Sequence, residues 1–372
     1  MAKKGKSRGR PSLNARIADV LRERVAAMKP GEPFGTEVAL ATECGVSRMT
    51  ARKAVNALVE AGLVERRAGV GVFVRDEGSV TRRWRFLVGN LMWESAIMTA
   101  SAARCEAEKI GVELELRDAG GDMKKMIAEI AALPGSGAAG AIVFSLHCGE
   151  FDAAIRGVAK KGFPIVVIDQ DLGPRTNVSC VLSDNALGGS LAAERIVHSG
   201  HTSLAFIGDL VADTVRARWE GFSRIVSRQT GAKPLKYDIK GEDRLGDWGT
   251  EVRAAVGKML RRKVRPTALF CSCDAIARHA MRALTDAGVR VPADVSLVGF
   301  DDDPIAEWTS PALTTVHQDF SAMGCEAVKA LVQRAAKPAA PGVTSIVPVE
   351  FVVRESLVKI SRTHKKEWRN ED

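Results

Sequence analysis

The stretch "GVSRMTARKAVNALVEAGLVERRAGVGVFV", Gly45 to Val74, puts an apolar helix stripe, a set of cations and a two-glycine tip into one short segment. On a helical wheel Ala51, Ala54, Val55, Leu58 and Val59 form an inward stripe. Arg48 and Arg52, four apart, share another face, with Lys53 and Asn56 nearby. Ser47 stands where an N-cap belongs, and the helix is expected to end near Gly62. Two short strands, about Leu63–Arg66 and Val72–Arg75, should follow around a tip from Gly69 to Gly71. Just upstream, Thr36 is placed to cap a short helix through Glu43, with Gly45 supplying the turn out of it. Helix, glycine turn and helix is helix-turn-helix spacing. A helix fits the DNA major groove, where arginine forks onto guanine O6 and N7, and the helix N-terminus usually reaches the bases. Glycines at the hairpin tip let its backbone approach phosphates. A plain three-helix head with a solvated cationic face is the alternative. The joint occurrence of turn, helix, hairpin and segregated charge favours DNA.

The charge of the whole chain agrees with that placement. Of a formal net charge of +9 over 372 residues, all but one unit falls in residues 1–83. A basic head on a nearly neutral body predicts a polyanion partner for the head. Apolar positions at Leu13, Ile17, Val20, Leu21 and Val25 predict a first helix from Leu13 to Met28, stopped by Pro30-Gly31. Residues 1–12 read as a disordered basic arm, in which Arg8 to Pro11 spells either a minor-groove hook or a chance Arg-Gly pair. The head then spans 13–75, a linker 76–84, a body 85–358 and a polar tail 359–372.

At this length two or more domains are expected. No apolar run is long enough to span a bilayer, and no apolar segment follows the basic start as a secretory signal requires. The seven scattered cysteines suit reduced thiols. The expected location is the cytoplasm, with no membrane contact.

From Arg85 the pattern alternates. Runs at Phe86–Leu91, Val112–Leu116, Ala141–Phe144, Ile165–Ile168, Leu204–Ile207, Ala268–Cys271 and Val295–Val298 are strand-like, and helical stretches separate most of them. Such strands imply an α/β body with parallel sheets covered on both faces, and there is room for two. Open α/β sheets bind ligands at the C-terminal ends of their strands. There the sequence sets Asp169, Cys273-Asp274 and Asp301 to Asp303; Arg218 and Trp248 complete the set. Carboxylates and a guanidinium suit hydroxyl pairs, and an indole suits the apolar face of a sugar ring. Each has a structural alternative: Asp184 and Asp274 as helix caps, Trp219 as core, Asp303-Pro304 as a turn.

Other chemistry is thinly represented. No Walker A segment or dinucleotide glycine fingerprint is present, and Gly188-Gly189 at a helix start is weak evidence for a nucleotide. His198 and His201 flank Gly200, a helix stop, and Cys271 and Cys273 lack zinc spacing. Neither a catalytic triad, a metal site nor a cofactor site is expected, so the chain reads as a non-enzyme.

Residues 13–75 resemble the winged helix-turn-helix of GntR-type regulators, on "PGEPFGTEVALATECGVSRMTARKAVNALVEAGLVERRAGVGVFV". The resemblance assigns DNA contact to Ser47, Arg48, Thr50 and Arg52, and the wing tip to Gly69 and Gly71; Lys53 joins them from the wheel. Val38 stands where the family carries Arg or Lys, and Val70 and Val72 stand at polar wing positions. Residues 85–355 resemble the effector domain of LacI/GalR-type repressors, which looks like periplasmic sugar-binding proteins. The matching text includes "RARWEGF", "VPADVSLVGFDDDPIAEWTSPALTTVHQDF" and "VPVEFVVRESL". That resemblance places Asp169, Arg218, Trp248 and Asp301 in an effector cleft and puts Cys273 where asparagine is usual. It also implies three interlobe crossings, near Val178–Leu182, Gly299–Pro311 and Thr344–Pro348. The combined architecture resembles that of arabinose repressors. It implies a homodimer on operator DNA, released by a sugar or related polyol; a corepressor-dependent repressor or an activator has the same architecture, and a body that only dimerises is the remaining alternative.

Overall fold

The computed structural model describes residues 13–29, 31–61, 63–67, 71–74, 82–145, 147, 149–173, 176–240 and 248–360. The basic arm with Arg8 to Pro11, the tip residues Gly69 and Val70, most of the linker and the polar tail from residue 361 lie outside them. The chain divides into two compact units, Met1–Arg82 and Arg83–Asp372.

In the first unit, α1 (Leu13–Ala26), α2 (Glu37–Glu43) and α3 (Arg48–Glu60) pack with β1 (Pro33–Gly35), β2 (Val64–Arg67) and β3 (Gly71–Val74). The caps are those the sequence sets out. Ala39 N–H donates to Thr36 Oγ1 and Thr50 N–H to Ser47 Oγ, each at 3.2 Å. Gly45 takes φ +62°, which opens the turn between α2 and α3. Leu21, Phe34, Leu40, Val55, Leu58 and Val64 form the core. The sheet order is β1-β3-β2, antiparallel. β1 carries a proline and a glycine in three residues, so periodicity does not announce it; it exists because it pairs Gly35 with Val72 of β3. Val72 is thereby buried in the head core and is not a groove-facing wing residue.

The second unit holds two parallel sheets. The first has the order β14-β8-β7-β6-β4-β5, built from β4 (Arg82–Val88), β5 (Val112–Asp118), β6 (Gly140–Phe144), β7 (Ile165–Ile168), β8 (Ser179–Ser183) and β14 (Thr344–Val347). Helices α4 (Glu94–Lys109), α5 (Met123–Ala132), α6 (Gly149–Lys160) and α11 (Phe320–Ala336) cover it. β4 begins at Arg82, inside the expected linker, and stops at Val88, short of Leu91. The early start follows from pairing with β6: Ala139 N–H donates to Arg83 O at 2.8 Å, Trp84 pairs with Gly140, and Trp84 and Phe86 are buried. On the other face Arg83 Nε meets Glu113 at 3.0 Å and Arg85 Nε meets Glu115 at 2.9 Å.

The second sheet has the order β10-β9-β11-β12, built from β9 (Leu204–Gly208), β10 (Leu235–Asp238), β11 (Ala268–Cys271) and β12 (Ser296–Val298). Around it lie α7 (Asn185–His198), α8 (Asp213–Thr230), α9 (Gly249–Leu260) and α10 (Asp274–Asp286). β13 (Thr315–Gln318) and β15 (Val349–Val352) pair antiparallel beside it. α7 and α8 cross tightly. A Cβ on Gly189 would overlap the Arg218 carbonyl oxygen, and one on Gly221 would overlap that of Ala186. Gly188-Gly189 therefore serves helix packing and not a phosphate.

The chain crosses between lobes after β8, between β13 and α11, and at Pro348 between β14 and β15. The middle crossing lies at Asp319, later than the expected Gly299–Pro311. That earlier segment stays in the second lobe because Gly299 N–H donates to Thr314 O at 2.9 Å and its backbone abuts the Asp274 carboxylate. The chain leaves only where Phe320 enters the first lobe's core.

His201 closes the base of the second lobe. Its Nδ1 meets Thr267 Oγ1 and its Nε2 the Val358 carbonyl, both at 3.0 Å, and burial pulls its pKa down to about 4. Gly200, at φ +90°, makes the turn before it. Among the described residues no group of three His, Cys, Asp or Glu is placed to hold a metal ion, and no helix is long and apolar enough to cross a membrane.

Candidate functional site

In the head, Arg48, Arg52 and Lys53 are exposed and make no ion pair among the described residues. Ser47 is the cap of α3 and its hydroxyl lies 2.9 Å from that of Thr50, so both belong first to the helix start. Gly71 opens β3 at φ +142°, where a side chain would be strained. Asn56, on the same helix, is engaged: its Oδ1 accepts from Arg66 Nη2 at 2.6 Å. The head therefore presents free cations at the N-terminal half of α3, where a groove-bound helix meets base edges.

In the body, a cleft of about 370 Å³ is lined by residues of both lobes. Asp169, Arg218, Trp248, Cys273 and Asp301 all border it. Asp169 follows β7 at φ +64°, with its Oδ2 3.4 Å from His147 Nε2. Trp248 sits at the N-terminus of α9, packed on the second lobe's core. Cys273 precedes α10, and burial pushes its thiol up, so it stands there as a neutral S–H.

Arg218 is the organising group. It is 4% exposed and lies over the Phe300 ring at 3.8 Å. Nε donates to Asn185 Oδ1 at 2.7 Å and Nη1 to the Ser272 carbonyl at 2.5 Å, with Asp301 Oδ1 3.4 Å from Nη1. Gln318 Nε2 also donates to Asp301 Oδ1, at 2.5 Å. Most of the Arg218 fork is thus committed to protein, which leaves Nη2 as the nitrogen available to a ligand. Burial raises the Asp301 carboxyl, and Arg218 opposes that rise.

A second carboxylate holds the loop that carries Asp301. Asp274 is fully buried, and its oxygens accept from Thr315 Oγ1 at 2.6 Å and from Asp303 N–H at 2.9 Å. It is the first residue of α10 and not its cap, as the helix-start alternative had it; Asp184 does cap α7, accepting from Leu187 N–H at 2.9 Å. Burial raises Asp274 to about 7 and Asp303 to about 6. A carboxyl raised above its unfolded value of 3.8 stabilises the folded body while protonated, and that stability is lost as pH rises from about 4 towards 7. We expect Asp274→Asn to flatten the fall of body stability with pH in this window, by up to about 4 kcal/mol. His201, lowered from 6.5, contributes in the opposite sense below pH 6.5. The difference between wild-type and variant urea midpoints, taken across pH, cancels that shared term; parallel curves would exclude Asp274 as the source.

The structure adds residues that sequence reasoning missed. Gln318 Oε1, Glu94 Oε2 and Arg278 Nε border the cleft or its wall, are sealed from solvent and have no hydrogen-bond partner among the described residues. Glu94 comes from the first lobe, Arg278 and Gln318 from the second. Gln318 lies in "HQDF", which was read only as part of a resemblance, and Asn185 reaches Arg218 from 33 positions away.

Comparison with known proteins finds likenesses for the first unit and for the larger part of the second. Residues 13–74 match the family model "Bacterial regulatory proteins, gntR family", and residues 193–357 match "Periplasmic binding protein-like domain". The HTH-type transcriptional repressor PurR of Mannheimia succiniciproducens is 30% identical over 216 residues, 58% of this chain and 64% of that protein, so the match spans less than two thirds of that relative. The ribose operon repressor of Haemophilus influenzae is 29% identical over 256 residues, 68% of this chain and 74% of that protein. A LacI family transcriptional regulator from Enterococcus faecium, solved with bound ribose, superimposes with a TM-score of 0.63 at 22% identity, covering 75% of this chain and all of that one (100%).

Proposed function

We propose that this chain, which joins a GntR-family head to a periplasmic binding protein-like body, is a ligand-responsive transcriptional repressor and not an enzyme. Its head binds double-stranded operator DNA through Arg48, Arg52 and Lys53, and its body closes on a sugar-like effector that releases the DNA. It acts in the cytoplasm as a homodimer, whose two heads meet half-sites about one helical turn apart or a multiple of it. The observation that carries the proposal is the two-lobed cleft with the Arg218–Asp301 pair at its centre. Bordered by Asp169, Asp301, Gln318 and Trp248, that cleft is rich in acceptors and carries an indole plate. The ribose named for one relative and for one structural neighbour supports a sugar here.

Two experiments test it. Incubating the purified chain with random duplexes should select one sequence class. Thermal-shift screening with sugars and polyols should raise the melting point of the body for one of them; no selected duplex and no stabilising ligand would reject the proposal. Within it, Arg48→Ala is expected to lower the slope of log K against log salt by about 0.9, the counterion equivalent of one phosphate, or to relax base preference at one position with the slope intact. Competition titrations at several salt concentrations separate the two; neither change would remove Arg48 from the interface.

A further inference from the structure

Arg66 lies on β2, the first wing strand. Its contacts lie within the head. Nε and Nη2 donate to Glu37 Oε1 at 3.2 and 2.8 Å, and Nη2 also donates to Asn56 Oδ1 at 2.6 Å. Glu37 is the first residue of α2, and Asn56 lies one turn beyond Arg52 on α3. One guanidinium therefore links three pieces of the winged head: the helix that leads in, the helix that carries the cations Arg48 and Arg52, and the wing.

Resting on the DNA-binding function proposed above, we infer that Arg66 is a positioning residue for base reading: by clasping Glu37 and Asn56 it fixes the angle of α3 against the wing, and it takes no phosphate itself. Three physical points support this. The Glu37 carboxylate neutralises Arg66, so the pair offers no net positive charge to a polyanion. A guanidinium fork is directional, which a lysine ammonium is not, so the clasp constrains orientation as well as distance. Asn56 accepts from Arg66 through Oδ1, which fixes the plane of its amide and ties the exposed face of α3 to the wing. The clasp thus sets the orientation in which Arg48 and Arg52 are presented.

The clasp is half exposed, with side-chain exposure of 41% for Arg66 and 32% for Glu37. Exposed pairs of this kind contribute little to global stability. A positioning role and a stability role are therefore separable. The test uses the full chain and a duplex selected by it from a random pool, compared with random duplex of equal length at several salt concentrations. Arg66→Met and Arg66→Lys are both expected to lower the ratio of selected to random affinity by about tenfold, the cost of one poorly met base contact, with the salt slope unchanged. Glu37→Gln is expected to raise affinity for random duplex and steepen the slope by about 0.9, because Arg66 is then free to meet a phosphate. Asn56→Ala removes the helix-side anchor without touching a charge, and it carries the test if Arg66→Met fails to fold. Its ratio should also fall, with the melting point held. Full rescue by Arg66→Lys together with a slope reduced by about 0.9 in Arg66→Met would make Arg66 a phosphate contact and overturn the inference. Unchanged ratios in all variants would overturn it too, while leaving the DNA-binding function standing. A wild-type chain that selects no duplex would overturn both.

Discussion

Arg218→Met is expected to abolish the response of operator binding to the effector while leaving operator binding by the ligand-free chain intact. The side chain sits where α8, the Ser272 carbonyl and the Asp301 loop converge, and its partners are buried with it. Methionine fills most of the volume but leaves Asn185 Oδ1 without its donor and Asp301 with the neutral Gln318 amide in place of a cation. Breaking a buried pair on one side costs about 3–5 kcal/mol, because the remaining charge has no compensation. Asp301, already raised by burial, would take up a proton when Arg218 no longer opposes the rise. The cleft then loses both the Nη2 donor and a carboxylate acceptor. Calorimetric titration with the effector should show no binding, and urea unfolding should show the stability loss. Adding Asp301→Asn should recover stability but not the response, since it removes the need to protonate a buried carboxylate without restoring the guanidinium donor. Retention of an effector response in Arg218→Met would move the binding site elsewhere.

Gly189→Ala is the second large effect. A single added methyl group has nowhere to go: it would overlap the carbonyl oxygen of Arg218, which is backbone and cannot rotate away. α7 and α8 would have to separate, displacing the residue that organises the cleft. We expect a loss of about 3 kcal/mol, the upper end of overpacking costs, accompanied by weakened effector binding. Gly157→Ala on α6 supplies the control. A Cβ there meets nothing within 4 Å, so helix propensity alone should stabilise that variant by about 0.5–1 kcal/mol. Melting curves of the two variants side by side check the contrast. A neutral Gly189→Ala would show that the two helices do not approach as closely as described.

The head was legible because its signals are local. Thr36, Ser47 and Gly45 are each read from their immediate neighbours, and the apolar stripe of α3 needs no knowledge of what covers it. β1 and the burial of Val72 were not legible, because each exists only through pairing across the sheet. In the body, strands apolar throughout announced themselves. β8, framed by serines, and β10, an edge strand with alternating exposure, did not stand out as strands. The cleft residues could be gathered from strand ends, yet their division of labour could not. Arg218 looks like a free fork in sequence, yet its Nε and Nη1 are spent on Asn185, Ser272 and Asp301, partners 33, 54 and 83 positions away. Asp274 looks like a cap and is instead the buried hold on the Asp301 loop. The middle crossing was placed too early for the same reason: the contacts that keep Gly299 in the second lobe are made by residues distant in the chain.

The central claim is that cleft and operator compete for the chain through linked equilibria. It is tested most directly by operator titrations of the full chain at fixed salt, without effector and at saturating effector, paired with effector titrations with and without operator. A weakening of operator affinity by about 100-fold corresponds to about 2.7 kcal/mol of coupling, and linkage requires operator to weaken effector affinity by the same factor. Equal operator affinities in the presence of an effector that demonstrably occupies the cleft would contradict the account.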